Sequence, residues 1–100
     1  MTVQMIRFST AEANVAEVES AIATMSAGIA AARPAGTRYA ACKLADGRTF
    51  LLLLELADGA TNPLPDIPEA REFQQRMTGW AGEPPAPSPV TVVGSYGLFA

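Results

Sequence analysis

Four consecutive leucines, Leu51 to Leu54, place the strongest constraint on how this chain can fold. They lie inside an apolar, β-prone run from Arg48 to Leu56. Successive side chains of a strand point to opposite faces of its sheet, so an unbroken leucine run offers apolar groups to both faces. A strand with one face in water would instead alternate apolar and polar residues. The run therefore predicts a strand that is covered on both sides.

A second β-prone run, Thr37 to Leu44, precedes the leucine strand across the turn Ala45-Asp46-Gly47. Asp-Gly between two apolar runs is the strongest short signal for a β-hairpin. A two-residue Asp46-Gly47 turn places Arg38 opposite Glu55, where the two can form an ion pair. A three-residue loop with a bulge shifts that register by one residue, so both registers stay open at this stage.

A first amphipathic helix is predicted over about residues 14–33. Asn14 and Glu17 have the spacing of an N-cap residue and its reciprocal acid, and Pro34 stops the helix after Arg33. The apolar residues recur at intervals of three and four, as one helical stripe requires. They are Val15, Val18, Ile22, Met25 and Ile29.

A second amphipathic helix is predicted over about residues 67–80. Asp66 and Glu69 repeat the acid spacing at its start, Pro68 is tolerated in the first turn, and Gly82 marks its end. The apolar stripe comprises Ala70, Phe73, Met77 and Trp80. The helix follows a proline-rich surface loop from Ala57 to Pro68.

Two further strands complete the chain. Val3 to Ser9 reads as the first, and Val90 to Phe99 as the fourth, after an extended stretch from Glu83 to Pro89. The order strand–helix–strand–strand–helix–strand, with right-handed crossovers, gives a four-stranded antiparallel sheet in the order 4-1-3-2 with both helices on one face. This is an α+β fold of ferredoxin-like topology, and residues 1–100 are read as one domain. The apolar face that the helices leave open predicts a homodimer.

Composition and charge exclude several classes of function. The net charge of -3 and the scattered basic residues predict neither a nucleic-acid partner nor an anionic membrane surface. The chain has no histidine, so the commonest general base and metal ligand are absent from its chemistry, and no metal site or cofactor is predicted. Its single cysteine, Cys42, reads as a buried apolar filler. No secretory signal is read at Met1, and the weakly polar stretch Ala21 to Ala32 is too short for a membrane span, so a cytoplasmic location is expected.

The candidates for ligand binding are polar and aromatic residues beside the apolar elements. A cleft between sheet and helices lined by Trp80, Phe73 and Tyr39 would suit a flat, apolar ligand, with Arg7 or Glu55 orienting it. The competing interpretation is structural. Trp80 and Phe73 then belong to the core stripe of the second helix, Arg7 sits at a strand end, and Glu55 only pairs with Arg38.

The whole chain resembles the dimeric α+β barrel superfamily, and within it is similar to small antibiotic-biosynthesis-monooxygenase-like proteins of unknown function. The segments that carry the resemblance are VQMIRF, NVAEVESAIATM, YAACKLADGRTF, NPLPDIPEAREF and VVGSYGLF. The resemblance implies sheets paired face to face and a pocket between helices and sheet in each subunit. Its haem-degrading branch needs a histidine ligand and is therefore rejected. Its cofactor-free oxygenases use Asn, Trp and Tyr groups, for which Asn62, Trp80 and Tyr39 are the matching residue types.

Two functions follow as hypotheses. The first is a cofactor-independent monooxygenase-like enzyme, in which Trp80 and Tyr39 stack a small aromatic substrate and Arg7 stabilises a developing phenolate. The second is a non-catalytic dimeric domain that binds a lipophilic metabolite or acts as a structural or interaction module. A cavity near Trp80 that contains a convergent Arg or Tyr favours the enzyme, and a filled core favours the structural domain.

Overall fold

The computed structural model describes residues 1–82 and 85–99 of the 100-residue chain. In chain order the elements are β1 (Thr2–Ser9), α1 (Val15–Ala32), β2 (Thr37–Lys43), β3 (Thr49–Leu56), α2 (Pro68–Ala81) and β4 (Ser88–Val90). The strands form one antiparallel sheet in the order β2-β3-β1-β4. This arrangement confirms the predicted α+β, ferredoxin-like topology and the strand order 4-1-3-2.

One hydrophobic core lies between the sheet and both helices. α1 contributes Val18 and Met25, α2 contributes Phe73 and Met77, and β3 contributes Leu52, all of them buried. Phe8 and Phe50 stack across the β1–β3 pair with ring centroids 5.6 Å apart. Since side chains from α1 and α2 pack into the same cluster as those of the sheet, both helices lie on one face of it.

The four leucines alternate between the two faces of the sheet. Leu52 and Leu54 are buried, and Leu52 belongs to the core beneath the helices. Leu51 and Leu53 point to the opposite face, which carries no helix, and are only partly buried. The structure thus settles which leucines belong to which face, a point that the sequence left open.

The β2–β3 hairpin has the register expected for the shorter turn. Arg38 lies opposite Glu55, and their side chains approach to 3.6 Å between Nη1 and Oε2. The turn nevertheless extends beyond Asp46-Gly47, because the Gly47 amide donates to the Leu44 carbonyl. Gly47 takes a φ of 77°, which favours glycine. Of the two registers that the sequence left open, the structure has the one that pairs Arg38 with Glu55, and the conditional ion pair forms.

Asp46 holds this turn through its carboxylate. Oδ1 accepts the backbone N–H groups of Arg48 and Thr49 at 3.0 and 2.9 Å, and Oδ2 accepts the Thr49 hydroxyl at 2.5 Å. The Thr49 hydroxyl, followed by the Arg48 amide, lowers the pKa of Asp46 below its usual value. Hydrogen bonds that a carboxylate accepts favour its ionised form, so the turn stabilises Asp46 as an anion.

We expect the hairpin to lose stability in acid. A lowered folded-state pKa contributes stability that is fully present above the unfolded pKa of Asp, about 3.9, and is lost as the pH falls through the folded value. Asp46→Asn keeps an acceptor oxygen but removes the titration. Thermal unfolding of both proteins from pH 6 to pH 2 checks this, with a shallower acid decline expected for the variant. Equal declines would contradict the role given to Asp46.

The predicted side-chain caps of both helices are wrong. A 3-10 turn over Glu12–Asn14 leads into α1, so Asn14 already has helical dihedral angles and makes no capping hydrogen bond. Its Nδ2 instead donates to the Thr10 hydroxyl at 3.4 Å. Asp66 likewise lies in a 3-10 turn, and Ile67 occupies the N-cap position of α2 without a side-chain cap. Pro68 does take the first position of α2, as predicted.

The fourth strand is much shorter than predicted. It covers Ser88–Val90 rather than Val90 to Phe99, and residues 91–99 form no regular structure. β4 is an edge strand that pairs with β1, and Val90 lies opposite Val3. Because β1 begins at Thr2, only one residue of β1 lies beyond the Val3–Val90 pair, and β4 cannot pair with β1 much further. The predicted extended stretch before β4 includes residues 83 and 84, which lie outside the described residues.

The segment Glu12–Ala32 is long and apolar enough, by length and composition, to cross a membrane. It is longer than the stretch Ala21 to Ala32 considered from the sequence. In the fold it contains α1, whose buried residues Val18 and Ile29 pack against the sheet. Within the fold, 17% of the apolar window is buried.

Candidate ligand-binding pocket

A cavity of about 170 Å³ lies between the helix-covered face of the sheet, α2 and the loop that precedes α2. Its walls are mainly apolar, and three amide side chains and one phenol supply the polar groups. The apolar residues are Ile6, Met25, Leu52, Leu54, Leu64, Pro65, Ala70, Phe73, Met77 and Pro87, and the polar ones are Gln4, Tyr39, Asn62 and Gln74. Few polar groups among apolar walls are typical of sites for small organic molecules.

Tyr39 is the polar group whose setting is most unusual. On β2 it lies opposite Leu54, and its ring packs against the core cluster. Its hydroxyl is buried without a hydrogen-bond partner. Burial, with a smaller contribution from Cys42, raises the pKa of Tyr39, so the phenol stays protonated at neutral pH. The Tyr39 side chain therefore lines the cavity, while its hydroxyl is enclosed by protein and makes no hydrogen bond.

Asn62 serves the loop as well as the cavity. Its Oδ1 accepts the backbone N–H of Leu64 at 3.0 Å, which fixes the turn that leads into the 3-10 segment Leu64–Asp66. This bond leaves the amide nitrogen of Asn62 as the group available to a ligand. None of the described residues that line the cavity carries a charge, so the site favours an uncharged ligand.

The structure brings three of the five predicted pocket residues together. Tyr39, Asn62 and Phe73 all line the cavity, and Arg7 and Trp80 do not. Trp80 packs behind Phe73, with ring centroids 5.5 Å apart, and the Arg76 guanidinium lies 4.7 Å from its ring.

Arg7 and Glu55 lie on the face of the sheet opposite to the cavity. Arg7 pairs with Leu51 and is exposed, whereas its neighbours Ile6 and Phe8 face the core. Glu55 is buried on that same outer face, where one carboxylate oxygen approaches Arg38 and Oε1 has no hydrogen-bond partner. Neither residue can orient a ligand in this cavity, which corrects the roles that the sequence suggested for them.

Sequence reasoning missed two amides, Gln4 and Gln74. Gln4 lies two positions before Ile6 on β1, so it shares the core-facing side of the strand with Ile6 and Phe8. A polar residue at a core-facing position is a signal that strand alternation alone could have found. Gln74 is exposed beside the buried Phe73 and borders the cavity from α2, a placement that the helical stripe does not reveal.

The groove between the two helices is polar and open. It is lined in part by Glu17, Glu69, Glu72 and Arg76, and Arg76 Nη2 donates to Glu17 Oε1 at 2.5 Å. Within residues 1–82 and 85–99, no group of three or more His, Cys, Asp or Glu side chains is arranged to hold a metal ion. Cys42 is exposed on β2 rather than buried, which corrects its predicted role as a core filler.

Removing the unsatisfied hydroxyl should stabilise the free protein. We expect Tyr39→Phe to raise the free energy of unfolding by about 1 kcal/mol, because a buried donor without a partner is lost and the ring is kept. For a chain of this size that is roughly a 4–8 °C rise in Tm. Thermal unfolding monitored by circular dichroism measures it. A fall in Tm of similar size would mean that the hydroxyl is bonded in the folded protein.

Comparison with known proteins adds no closer assignment. A scan against protein-family models finds no matching family, and a search of curated proteins finds no match. The class that the fold defines is thus an α+β domain of ferredoxin-like topology with a small cavity beneath its helices.

Proposed function

We propose that this protein is a homodimer that binds a small, uncharged and largely apolar molecule in the cavity between sheet and helices. The observation that carries this proposal is a mainly apolar cavity of about 170 Å³ whose described lining residues carry no charge. A domain with a purely structural role would fill this space, since protein interiors are close-packed. A bound ligand would fill the volume instead.

Intrinsic fluorescence offers a direct test of binding. Trp80 is the only tryptophan, and its ring contacts Phe73, which lines the cavity. We expect small uncharged aromatic compounds such as acetophenone to change the Trp80 emission saturably. Charged analogues such as benzoate should have no effect, because the walls offer no counter-charge. Saturable binding of benzoate and not of the neutral compound would contradict the proposed site.

Filling the cavity should abolish that response. Ala70 is buried on α2 and lines the cavity, so Ala70→Leu places three additional carbon atoms in or beside the space. We expect at least a tenfold weaker affinity for acetophenone with the fold retained, as circular dichroism would show. Ala23→Leu, at an exposed position of α1 outside the cavity, is the matched control and should bind like the wild type. Unchanged binding by Ala70→Leu would place the ligand elsewhere.

The second face of the sheet supports the homodimer. Met5, Leu51 and Leu53 are partly exposed on the face without helices, while Val93 and Tyr96 of the irregular C-terminal segment are almost fully exposed. Three strands of seven or eight residues give this face a projected area of roughly 350 Å². A standard interface buries about 800 Å² per partner, so the exposed C-terminal segment would have to contribute as well. A second copy of the chain would bring the same two apolar surfaces, the outer face of the sheet and the C-terminal segment, to the interface.

A monooxygenase-like activity is the second proposal, supported by the position of the cavity between helices and sheet. Of the polar residues named for such an enzyme, Tyr39 lines the cavity, whereas Arg7 lies on the opposite face of the sheet. Oxygen-electrode measurements with aromatic hydroquinones test it. Enzyme-dependent consumption of dioxygen that Tyr39→Phe reduces would support catalysis, and a rate equal to the uncatalysed one would leave binding as the function. We propose a reducing, cytoplasmic setting, with which the single exposed thiol of Cys42 is compatible.

A further inference from the structure

We infer that the ligand of this cavity carries an amide group, a hydrogen-bond donor beside an acceptor, and that the side-chain amide of Gln4 binds it. The inference rests on the proposed binding function and specifies the chemistry of the ligand. Gln4 is then the residue that determines which uncharged molecules the cavity accepts. Three observations support this role: the face of the sheet that Gln4 occupies, the accessibility of its amide, and the size and charge of the cavity.

Strand pairing places the Gln4 side chain on the helix-covered face of the sheet. Gln4 of β1 lies opposite Leu54 of β3, which in turn lies opposite Tyr39 of β2. Directly opposed residues of antiparallel strands point to the same face, and all three residues line the cavity. On the other side of the cavity, α2 contributes Phe73 and Met77. The Gln4 side chain therefore extends into the space between the sheet and α2.

The amide of Gln4 is accessible and uncommitted. Gln4 is partly buried, and its side chain makes no hydrogen bond with another described residue. In the described part of the chain, the enclosed polar side-chain atoms without a partner are the Tyr39 hydroxyl and Glu55 Oε1, and neither amide atom of Gln4 is among them. Both amide atoms of Gln4 therefore keep accessible surface, unlike the Tyr39 hydroxyl, and a molecule in the cavity can reach them.

The other two amides that line the cavity are less suited to this role. Asn62 already uses its Oδ1 to accept the backbone N–H of Leu64 at 3.0 Å. Asn62 and Gln74 are both exposed, so bulk water competes for their polar groups. Gln4 is thus the cavity amide that offers both its oxygen and its nitrogen from the covered face of the sheet.

The hydrogen bonds that Gln4 can make define the polar part of the ligand. A primary amide offers an acceptor oxygen and an N–H donor side by side. A ligand that displaces water from this amide must replace the hydrogen bonds that the water made, because a polar group left unpaired in an apolar site costs binding free energy. A hydrocarbon replaces neither bond, and a ketone or ether replaces only the bond to the nitrogen. A ligand amide replaces both through two parallel hydrogen bonds.

Cavity size and charge define the rest of the molecule. The volume of about 170 Å³ is close to the roughly 150 Å³ of an apolar protein cavity that holds one benzene ring. None of the described lining residues carries a charge, so a carboxylate or ammonium group would lose its hydration without gaining a partner of opposite charge. The structure therefore points to uncharged carboxamides or lactams with a single ring.

The test compares benzamide with acetophenone on two proteins. The two compounds share their shape and carbonyl group, and benzamide has an amino donor where acetophenone has a methyl group. Methyl resonances of Leu52, Leu54 and Met77, which line the cavity, report the affinity of the full chain for each compound. Gln4→Met keeps an unbranched side chain of similar length and removes the amide. We expect the ratio of benzamide affinity to acetophenone affinity to fall roughly three- to tenfold in this variant, the worth of one net hydrogen bond.

Gln74→Met is the matched control, because it removes an exposed amide that borders the same cavity, and it should keep the wild-type ratio. An unchanged ratio in Gln4→Met, or an equal loss in Gln74→Met, would overturn the assignment of Gln4 while leaving the cavity as a binding site. In the wild type, we also expect a nuclear Overhauser effect between the Gln4 side-chain amide protons and bound benzamide. If Gln4→Met does not fold, absence of this effect overturns the assignment. Failure of both compounds to shift the wild-type cavity methyls at millimolar concentration would overturn the proposed function together with this inference.

Discussion

Leu53→Asp should convert the proposed dimer into a folded monomer. Leu53 lies on the face without helices, opposite Met5 of β1 and Ala40 of β2, and is partly exposed in the single chain. An aspartate there remains solvated in the monomer but would be buried, unpaired, between two sheets. Sedimentation equilibrium at micromolar concentration should give twice the 10.5 kDa chain mass for the wild type and the chain mass itself for the variant.

The neighbouring position supplies the control. Leu52 is buried in the core beneath the helices, so Leu52→Asp should unfold the chain rather than split a dimer. The two substitutions make the same chemical change one residue apart. If Leu53→Asp sediments as a dimer, the outer face is not the interface. If Leu52→Asp retains a native circular dichroism spectrum and melting transition, the assignment of leucines to faces is wrong.

Met77→Asp should destabilise the fold by about 3–5 kcal/mol. Met77 is buried on α2, belongs to the core cluster and borders the cavity, so the substitution removes apolar packing and introduces a carboxylate. The loss is a large share of the roughly 5–15 kcal/mol that holds a typical domain folded. Urea unfolding followed by circular dichroism measures it.

Gln75→Asp is the matched control for this substitution. Gln75 is exposed on the same helix, and its replacement should change the free energy of unfolding by at most about 0.5 kcal/mol. A Met77→Asp protein with the wild-type melting temperature would show that the core-facing stripe of α2 has been misassigned.

Element order could be predicted because it depends on patterns that the chain carries locally. Hydrophobic spacing located both helices, and Asp46-Gly47 located the hairpin, but it left two registers open, of which the structure has the one that pairs Arg38 with Glu55. The length of β4 could not be read in this way. A strand ends where its neighbour does, and residues 91–99 have strand-forming composition but lie beyond the ladder that β1 offers. The predicted helix cap failed for a related reason, since the 3-10 turn before α1 gives Asn14, its N-cap residue, helical dihedral angles and no capping hydrogen bond.

The candidate site was predictable in part. Tyr39, Asn62 and Phe73 were chosen as polar or aromatic residues next to apolar elements, and they do line one cavity. Arg7 was chosen on the same grounds. Whether a strand residue can line the cavity depends on the face of the sheet that it occupies, and for Arg7 that face is fixed only by the pairing of β1 with β3. The unsatisfied state of the Tyr39 hydroxyl is a property of packing in three dimensions, which no residue pattern along the chain encodes.

Leucine methyl chemical shifts test most directly whether the two faces of this sheet have different occupants. Leu51 and Leu53 lie on the proposed dimer face, and Leu52 and Leu54 line the cavity. We expect dilution through the dissociation range to shift the Leu51 and Leu53 methyls, and acetophenone to shift those of Leu52 and Leu54 at constant protein concentration. Shifts of the same leucines in both titrations, or none in either, would contradict the division of the sheet into a ligand face and a dimer face.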